Sequence, residues 1–153
     1  AFASHFAPDM LEDALSIYRA QFQPSRYLDQ PYAVMAAGVC AAANDEEAQY
    51  LRSSQYLAFA RLRSGRPGKL PYPVEDLSSE IPAPVLAQVK HALSCSATGA
   101  PETVHVQIRH LLDRYKPDEL MVTGMLHDHK ARLRSFEIAG AVLRDLQVKP
   151  QAA

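Results

Sequence analysis

The feature that most constrains the fold of this chain is a continuous run of apolar and small residues from Tyr32 to Ala43. No charged or amide side chain interrupts the run, so it does not alternate between a buried and a solvated face. Such a run is typical of a strand that is buried on both faces, as in a parallel sheet covered by helices. It therefore predicts a strand in a parallel α/β sheet.

Two more segments are predicted to be strands, residues 1–5 and residues 118–124. Apolar residues at helical spacing predict helices over residues 8–22, 44–62, 84–96 and 126–147, with another helix starting at Pro101. Residues 65–84 are rich in Pro and Gly and are interpreted as a surface excursion. Because strands alternate with helices, the sheet should be parallel with right-handed crossovers.

The first predicted strand starts at residue 1, where nothing precedes it to supply a neighbour. Residues 1–153 are therefore expected to form one C-terminal segment of a larger α/β protein.

Composition excludes several classes of protein. The formal net charge of -1 argues against a dedicated nucleic-acid binder, which usually carries a basic excess. No apolar run approaches the roughly 18 residues of a membrane span. The two cysteines, Cys40 and Cys95, show neither a metal-binding nor a redox spacing, which favours reduced structural thiols in the cytoplasm.

Ligands of parallel α/β folds bind at the C-terminal ends of the strands. At the end of the first predicted strand, Ala3, Ser4 and His5 place a hydroxyl and an imidazole where they could contact a planar cofactor. The alternative is a turn in which His5 caps a neighbouring carbonyl. Asn44, after the second strand, is interpreted as a helix cap, with Glu47 completing a capping box.

The third strand ends in a segment with two histidines, His127 and His129, on either side of Asp128. A catalytic zinc usually needs three protein ligands, and no third ligand is evident nearby, so no metal site is predicted. Asp128 is expected to cap the last helix. Thr123, Gly124 and His127 are expected to line a pocket, with Gly124 permitting close approach of a ligand or loop.

Several motifs follow one another in a fixed order along nearly the whole chain. They are residues 1–8 (AFASHFAP), Tyr18-Arg19 to Phe22, Pro24-Ser25, Pro31-Tyr32, residues 62–71 (LRSGRPGKLP), residues 118–124 (DELMVTG) and residues 127–137 (HDHKARLRSFE). Together they resemble the C-terminal portion of the bacterial luciferase-like flavin monooxygenase family.

The resemblance implies a (β/α)8 TIM barrel, of which this chain would hold about strands 6–8 and their helices. It implies that the protein uses reduced FMN, which a flavin reductase supplies. The reduced FMN would react with oxygen and a small aldehyde-like substrate. The protein would be a cytoplasmic homodimer. Ala3, Ser4 and His5 would lie near the flavin, and Thr123, Gly124 and His127 would form the pocket wall. No catalytic base can be named. Most of the residues that bind the phosphate and stack on the flavin would lie on earlier strands. The chain by itself is expected to be inactive, because it would lack over half of the barrel.

Other classes remain open at this point. A related barrel could use a deazaflavin for hydride transfer. A non-catalytic α/β module could pair its exposed sheet edges with a partner or with itself. A metal-dependent barrel hydrolase is a more distant alternative.

Overall fold

The computed structural model describes residues 1–6 and 8–148, which form a three-stranded parallel sheet and five α-helices. None of the helices in these residues is long and apolar enough to cross a membrane. In chain order the elements are α1 (Leu11–Gln21), β1 (Val34–Ala41), α2 (Asp45–Arg63), α3 (Ala83–Ala92), β2 (Ser96–Gly99), α4 (Pro101–Tyr115), β3 (Glu119–Thr123) and α5 (His129–Val148).

The apolar run of residues 32–43 forms the central strand, β1, as predicted. All of its residues except Val34 are buried. It pairs in parallel with β2 on one edge and with β3 on the other, so the strand order is β2-β1-β3. Burial on both faces follows from this central position.

The prediction of a strand over residues 1–5 was wrong, because only Phe2 joins the sheet, through an isolated parallel bridge to Met35. Phe2 N–H donates to the Val34 carbonyl at 2.8 Å, and Ala36 N–H donates to the Phe2 carbonyl at 3.0 Å. The Ala36 carbonyl would accept the next backbone N–H of a continuing parallel ladder. The Ser4 hydroxyl instead donates a hydrogen bond to the Ala36 carbonyl at 2.6 Å, and the pairing with β1 ends there.

The sequence prediction also missed the strand β2. Residues 84–96 were expected to be helical, but α3 ends at Ala92 and residues 96–99 pair with residues 38–41 of β1. The Ser-Ala-Thr-Gly sequence of β2 is short and weakly apolar, so its own propensity carries little signal. Pairing with β1 is what makes it a strand.

The positions of Phe2 and β2 show how the chain crosses the sheet. Ala36 N–H donates to Phe2 and Gly38 N–H donates to Cys95, at 3.0 Å in both cases. Because N–H groups of alternate residues point to the same edge of a strand, Phe2 and β2 both lie on one edge of β1. The chain therefore moves one way from β1 to β2 and the opposite way from β2 to β3.

The helices occupy both faces of the sheet as a result. The Cys40 sulfur lies 3.4 Å from the Ala48 carbonyl of α2 on one face, whereas α1, α4 and α5 pack on the other face. Right-handed crossovers in opposite directions require this arrangement. In a (β/α)8 barrel, by contrast, strands neighbour one another in sequence order and all helices form an outer ring. This chain therefore shows a three-stranded parallel α/β sheet with helices on both faces.

The core on the face of α1, α4 and α5 has two buried clusters. Met35 and Ala37 of β1 pack against Leu11 and Leu15 of α1 and against the end of α4. Val39 and Ala41 pack against α4 and α5. In α5 the buried residues are Ser135, Ile138, Ala139 and Val142, whereas Leu133 and Phe136 are 50% and 36% exposed.

Cys40 and Cys95 are free and almost fully buried. Burial raises the pKa of the Cys40 thiol to about 11, and it also raises the pKa of the Cys95 thiol. Both sulfurs are therefore protonated, unreactive core atoms at neutral pH.

Candidate functional site

Two polar residues at strand ends start helices, as the sequence predicts. Asn44 Oδ1 accepts the Glu47 N–H at 2.8 Å, and the Glu47 carboxylate accepts the Ala43 N–H at 3.2 Å. Asp128 Oδ1 accepts the Ala131 N–H at 2.8 Å at the start of α5. These bonds satisfy N–H groups that have no partner within the helix, so both side chains have structural roles.

Ser4 is buried, and its hydroxyl donates to the Ala36 carbonyl. The hydroxyl hydrogen is therefore used within the fold, and only oxygen lone pairs are left to accept a bond from a ligand. Ala3, beside it, is exposed. Ser4 fixes the turn that places His5.

His5 is half-buried, and its ring stands at 82° to the Phe6 ring with the centroids 4.3 Å apart. Its Nδ1 atom is shielded from solvent and has no hydrogen-bond partner among the described residues. Burial lowers the pKa of His5, which favours the neutral imidazole. A buried nitrogen without a partner is costly, so Nδ1 is free to bond a group from outside the described residues.

Two other buried polar atoms also lack a partner within the described residues, Arg52 Nε and Gln55 Oε1. Both belong to α2, and the Arg52 guanidinium donates to the Ser96 hydroxyl at 2.9 Å. That contact ties α2 to β2. Of the predicted site residues, His5 is the one with an unpaired buried atom.

The turn after β3 approaches β1 closely. Thr123 is in register with Gly38. A Cβ atom on Gly124 would lie 3.1 Å from Phe136 Cζ and 3.3 Å from the Val39 carbonyl oxygen. Glycine at position 124 thus permits close approach of the β1 backbone and of Phe136 in α5.

His127 stacks on Tyr72, with ring centroids 4.0 Å apart and an interplanar angle of 37°. Tyr72 lies in the connection between α2 and α3 and is 76% exposed. The flanking backbone is anchored to α2, because the Ser54 hydroxyl donates to the Pro71 carbonyl at 2.6 Å and Ser53 Oγ accepts the Val74 N–H at 2.7 Å. Sequence reasoning missed Tyr72. An aromatic residue between two prolines was the only local signal, and it did not identify the partner.

The two predicted sets of site residues lie on opposite edges of β1. Ser4 bonds to Ala36 on the edge that carries β2, and Thr123 pairs with Gly38 on the edge that carries β3. Within the described part of the chain, no hydrogen bond, ion pair or ring contact joins Ser4 or His5 to His127. The same part contains no group of three or more His, Cys, Asp or Glu side chains that could hold a metal ion.

The described residues fit one part of a flavin site. The unpaired Nδ1 of His5 could bond the polar edge of an isoalloxazine ring. In residues 1–6 and 8–148, no Lys or Arg side chain makes a hydrogen bond or ion pair with Ser4 or His5. The surroundings of Ser4 and His5 would therefore fit the ring of a flavin better than its phosphate.

Comparison with known proteins identifies relatives of this chain. The chain is 41% identical over 146 residues to a protein of Escherichia coli (strain K12) named "Luciferase-like monooxygenase". This chain is a homologue of luciferase-like monooxygenases. The match covers 95% of the chain and 44% of the relative, so the chain spans less than half the length of that luciferase-like homologue. No protein-family model matches the chain.

Solved structures support the α/β fold. Apo-MsnO8 aligns with 97% of this chain at a TM-score of 0.72 and 24% identity, and the alignment covers 45% of that chain. The monooxygenase RslO1 from Streptomyces bottropensis aligns with 96% of this chain at a TM-score of 0.56 and 17% identity, covering 41% of that chain. Each crystal structure is more than twice as long as the part that the chain matches.

Proposed function

We propose that the protein carrying this chain is a flavin-dependent, luciferase-like monooxygenase that uses reduced FMN and oxygen to oxidise a small aldehyde-like substrate. The observation that carries this proposal is 41% identity over 95% of the chain to a luciferase-like monooxygenase. The proposal includes a (β/α)8 barrel in the whole protein, a reductase that supplies the flavin, and a cytoplasmic homodimer.

His5 has the clearest role in this proposal. When bound, reduced flavin supplies the chemistry with oxygen. The protein has to orient the ring and exclude water. Neutral His5 bonds the polar edge of the ring through Nδ1, the atom that has no partner in the fold. Ser4 acts as a positioning residue, because its bond to Ala36 fixes the turn that leads to His5.

The wall of the substrate pocket is proposed to form after β3. Thr123 and Gly124 supply a narrow surface beside β1, and His127 with Tyr72 supplies an aromatic one. Stacked rings cover apolar surface and keep water from a small organic substrate. Tyr72 thereby extends the predicted wall into the connection between α2 and α3.

A fluorescence-quenching titration with FMN tests the proposal. The gene product that carries this sequence should bind FMN saturably, and the 153-residue chain tested beside it should not. His5→Ala should weaken FMN binding by about 2- to 10-fold, the usual value of one neutral hydrogen bond. His110→Ala is the matched control, because His110 is an exposed histidine on α4.

Oxygen uptake with reduced FMN and aldehydes of increasing length then tests the reaction. Uptake that requires both flavin and aldehyde supports the monooxygenase. Binding of a deazaflavin in place of FMN would favour hydride transfer. A stable oligomer without affinity for any flavin would favour the non-catalytic module and overturn the proposal.

A further inference from the structure

A cleft lies between the C-terminal end of α2 and the N-terminal end of α3, away from the residues assigned above. Its volume is about 460 Å³, which lies within the usual range of roughly 300–1,000 Å³ for small-molecule sites. The floor is apolar and is formed by Leu57, Ala60, Ile81 and Val85. The first three are buried members of the cluster that joins α2 to α3, so a rigid part of the fold shapes the floor.

The rim of the cleft is mainly basic. Arg61 and Arg66 line it, and both are exposed. Neither forms an ion pair within the described residues. Glu80 is the one carboxylate in the lining, and Ser64 uses its hydroxyl hydrogen on the Ala60 carbonyl at 2.8 Å. Two guanidinium groups against one carboxylate leave a net positive rim.

The two helix ends at the cleft act on an anion in opposite senses, because the C-terminal end of α2 is the negative end of its dipole and the N-terminal end of α3 is the positive end of its own. Three carbonyls near the end of α2 accept hydrogen bonds, since Ser64 N–H donates to the Ala60 carbonyl, Gly65 N–H to the Leu62 carbonyl and Arg66 N–H to the Arg61 carbonyl. The opposite wall includes Pro82 and Val85 at the start of α3, where no side chain caps the helix. The positive end of the α3 dipole is offset by the negative end of the α2 dipole, so the net charge of the rim depends on the two arginines and Glu80.

We propose that this cleft binds a small carboxylate with an apolar tail, of the size of a medium-chain fatty acid. The carboxylate lies between Arg61 and Arg66, since guanidinium groups hold carboxylates through paired N–H bonds. The tail lies on Leu57, Ala60 and Ile81. Glu80 repels the bound carboxylate and weakens its binding. Removing the charge of Glu80 should therefore raise the affinity of the cleft for a carboxylate.

Isothermal titration of the gene product with sodium octanoate tests the proposal. Arg61→Gln and Arg66→Gln should each weaken octanoate binding, because each removes a guanidinium that bonds the carboxylate. The loss should be only about 3- to 10-fold, because water screens both exposed arginines. Glu80→Gln should tighten binding by about 2- to 5-fold by removing like charge. Arg63→Gln is the matched control, because Arg63 is exposed on the same helix but does not line the cleft.

The neutral analogue 1-octanol separates charge from burial of the tail. 1-Octanol should bind more weakly than octanoate, and its affinity should not change with the arginine substitutions. Absence of saturable octanoate binding would overturn the proposal. Equal loss of octanoate binding with Arg63→Gln and Arg61→Gln would also overturn the proposal. Octanoate would then be attracted by the general positive charge of this surface and not by the residues of the cleft. All these substitutions are on exposed side chains, so the variants should fold.

Discussion

The two faces of the sheet are covered to different extents. On the face of α1, α4 and α5, every strand contributes to buried clusters, and even Leu120 and Val122 of β3 pack against them. On the face of α2, the helix contacts β1 and β2. Met121 of β3 lies on this second face and is 55% exposed. One face is thus a complete core, and the other is open along β3.

The open part of the second face is also where the proposed pocket wall lies. Thr123 follows Met121 by two residues and so points to the same face. Tyr72 reaches His127 from the connection that is anchored on α2. Stability and ligand access are therefore expected to depend on different residues of the same small sheet.

The largest expected effect compares one residue type on the two faces. Met35→Ala should lower the free energy of unfolding by about 2–5 kcal/mol, because Met35 is fully buried and its removal leaves a cavity. Met121→Ala should change it by less than about 0.5 kcal/mol, because Met121 is mainly in contact with solvent. Urea denaturation of both variants measures the difference. Equal losses would mean that the face of α2 is covered in solution.

Gly124→Ala tests the close approach of the turn after β3 to β1 and α5. The added Cβ would press on Phe136 and on the Val39 carbonyl, and the backbone oxygen cannot rotate away. We expect a loss of about 1–3 kcal/mol, the usual cost of overpacking. Gly68→Ala is the control, because a Cβ there meets no atom within 4 Å. A loss of stability of the same size in both variants would show that the Gly124 contact is relaxed in solution.

The stack of Tyr72 on His127 should have a smaller effect. A double-mutant cycle with Tyr72→Ala and His127→Ala should give a coupling energy of about 0.5–1.5 kcal/mol, typical of paired aromatic rings. Tyr72→Phe should keep the coupling, because the ring and not the hydroxyl makes the contact. A coupling near zero would remove Tyr72 from the proposed wall.

The smallest expected effect is on pH dependence. Burial lowers the pKa of folded His5 below its ordinary value of 6.5, so the unfolded chain binds more protons below that pH. The contribution of His5 to stability is therefore complete above about pH 6.5 and falls as the pH drops towards the folded pKa. His5→Gln should flatten the stability profile between about pH 7 and pH 5, measured by thermal unfolding, and a profile that the substitution leaves unchanged would contradict this prediction.

Local patterns in the sequence predicted much of the fold. The uninterrupted apolar run predicted β1, and the Asn44 and Asp128 caps fixed the starts of α2 and α5, because their chemistry involves residues only three positions away. The strand over residues 1–5 and the missed strand β2 were decided by pairing with β1 instead. Such pairing depends on contacts between distant residues, which the spacing of apolar residues does not reveal.

Less of the candidate site than of the fold could be predicted from local sequence patterns. The position of Gly124 could be inferred from the end of a strand, but the atoms that crowd it come from β1 and α5. Tyr72 is distant in sequence from His127, and its role rests on two hydrogen bonds that anchor the connection to α2. The strand-end rule selected Ser4 and His5 as one cluster and Thr123 as part of another, but it could not show that the two clusters lie on opposite edges of β1. The role of Ser4 and His5 in binding flavin, and that of Thr123 in a pocket wall, stay predictions.

The two buried thiols make local opening of each face measurable. Cys40 lies against α2, whereas Cys95 belongs to the cluster that includes Leu11 and Leu15 of α1. Because only a thiolate in contact with solvent reacts quickly with an alkylating reagent, each cysteine is modified only when its own surroundings open. The ratio of the two alkylation rates under native conditions therefore reports which side of the sheet opens first.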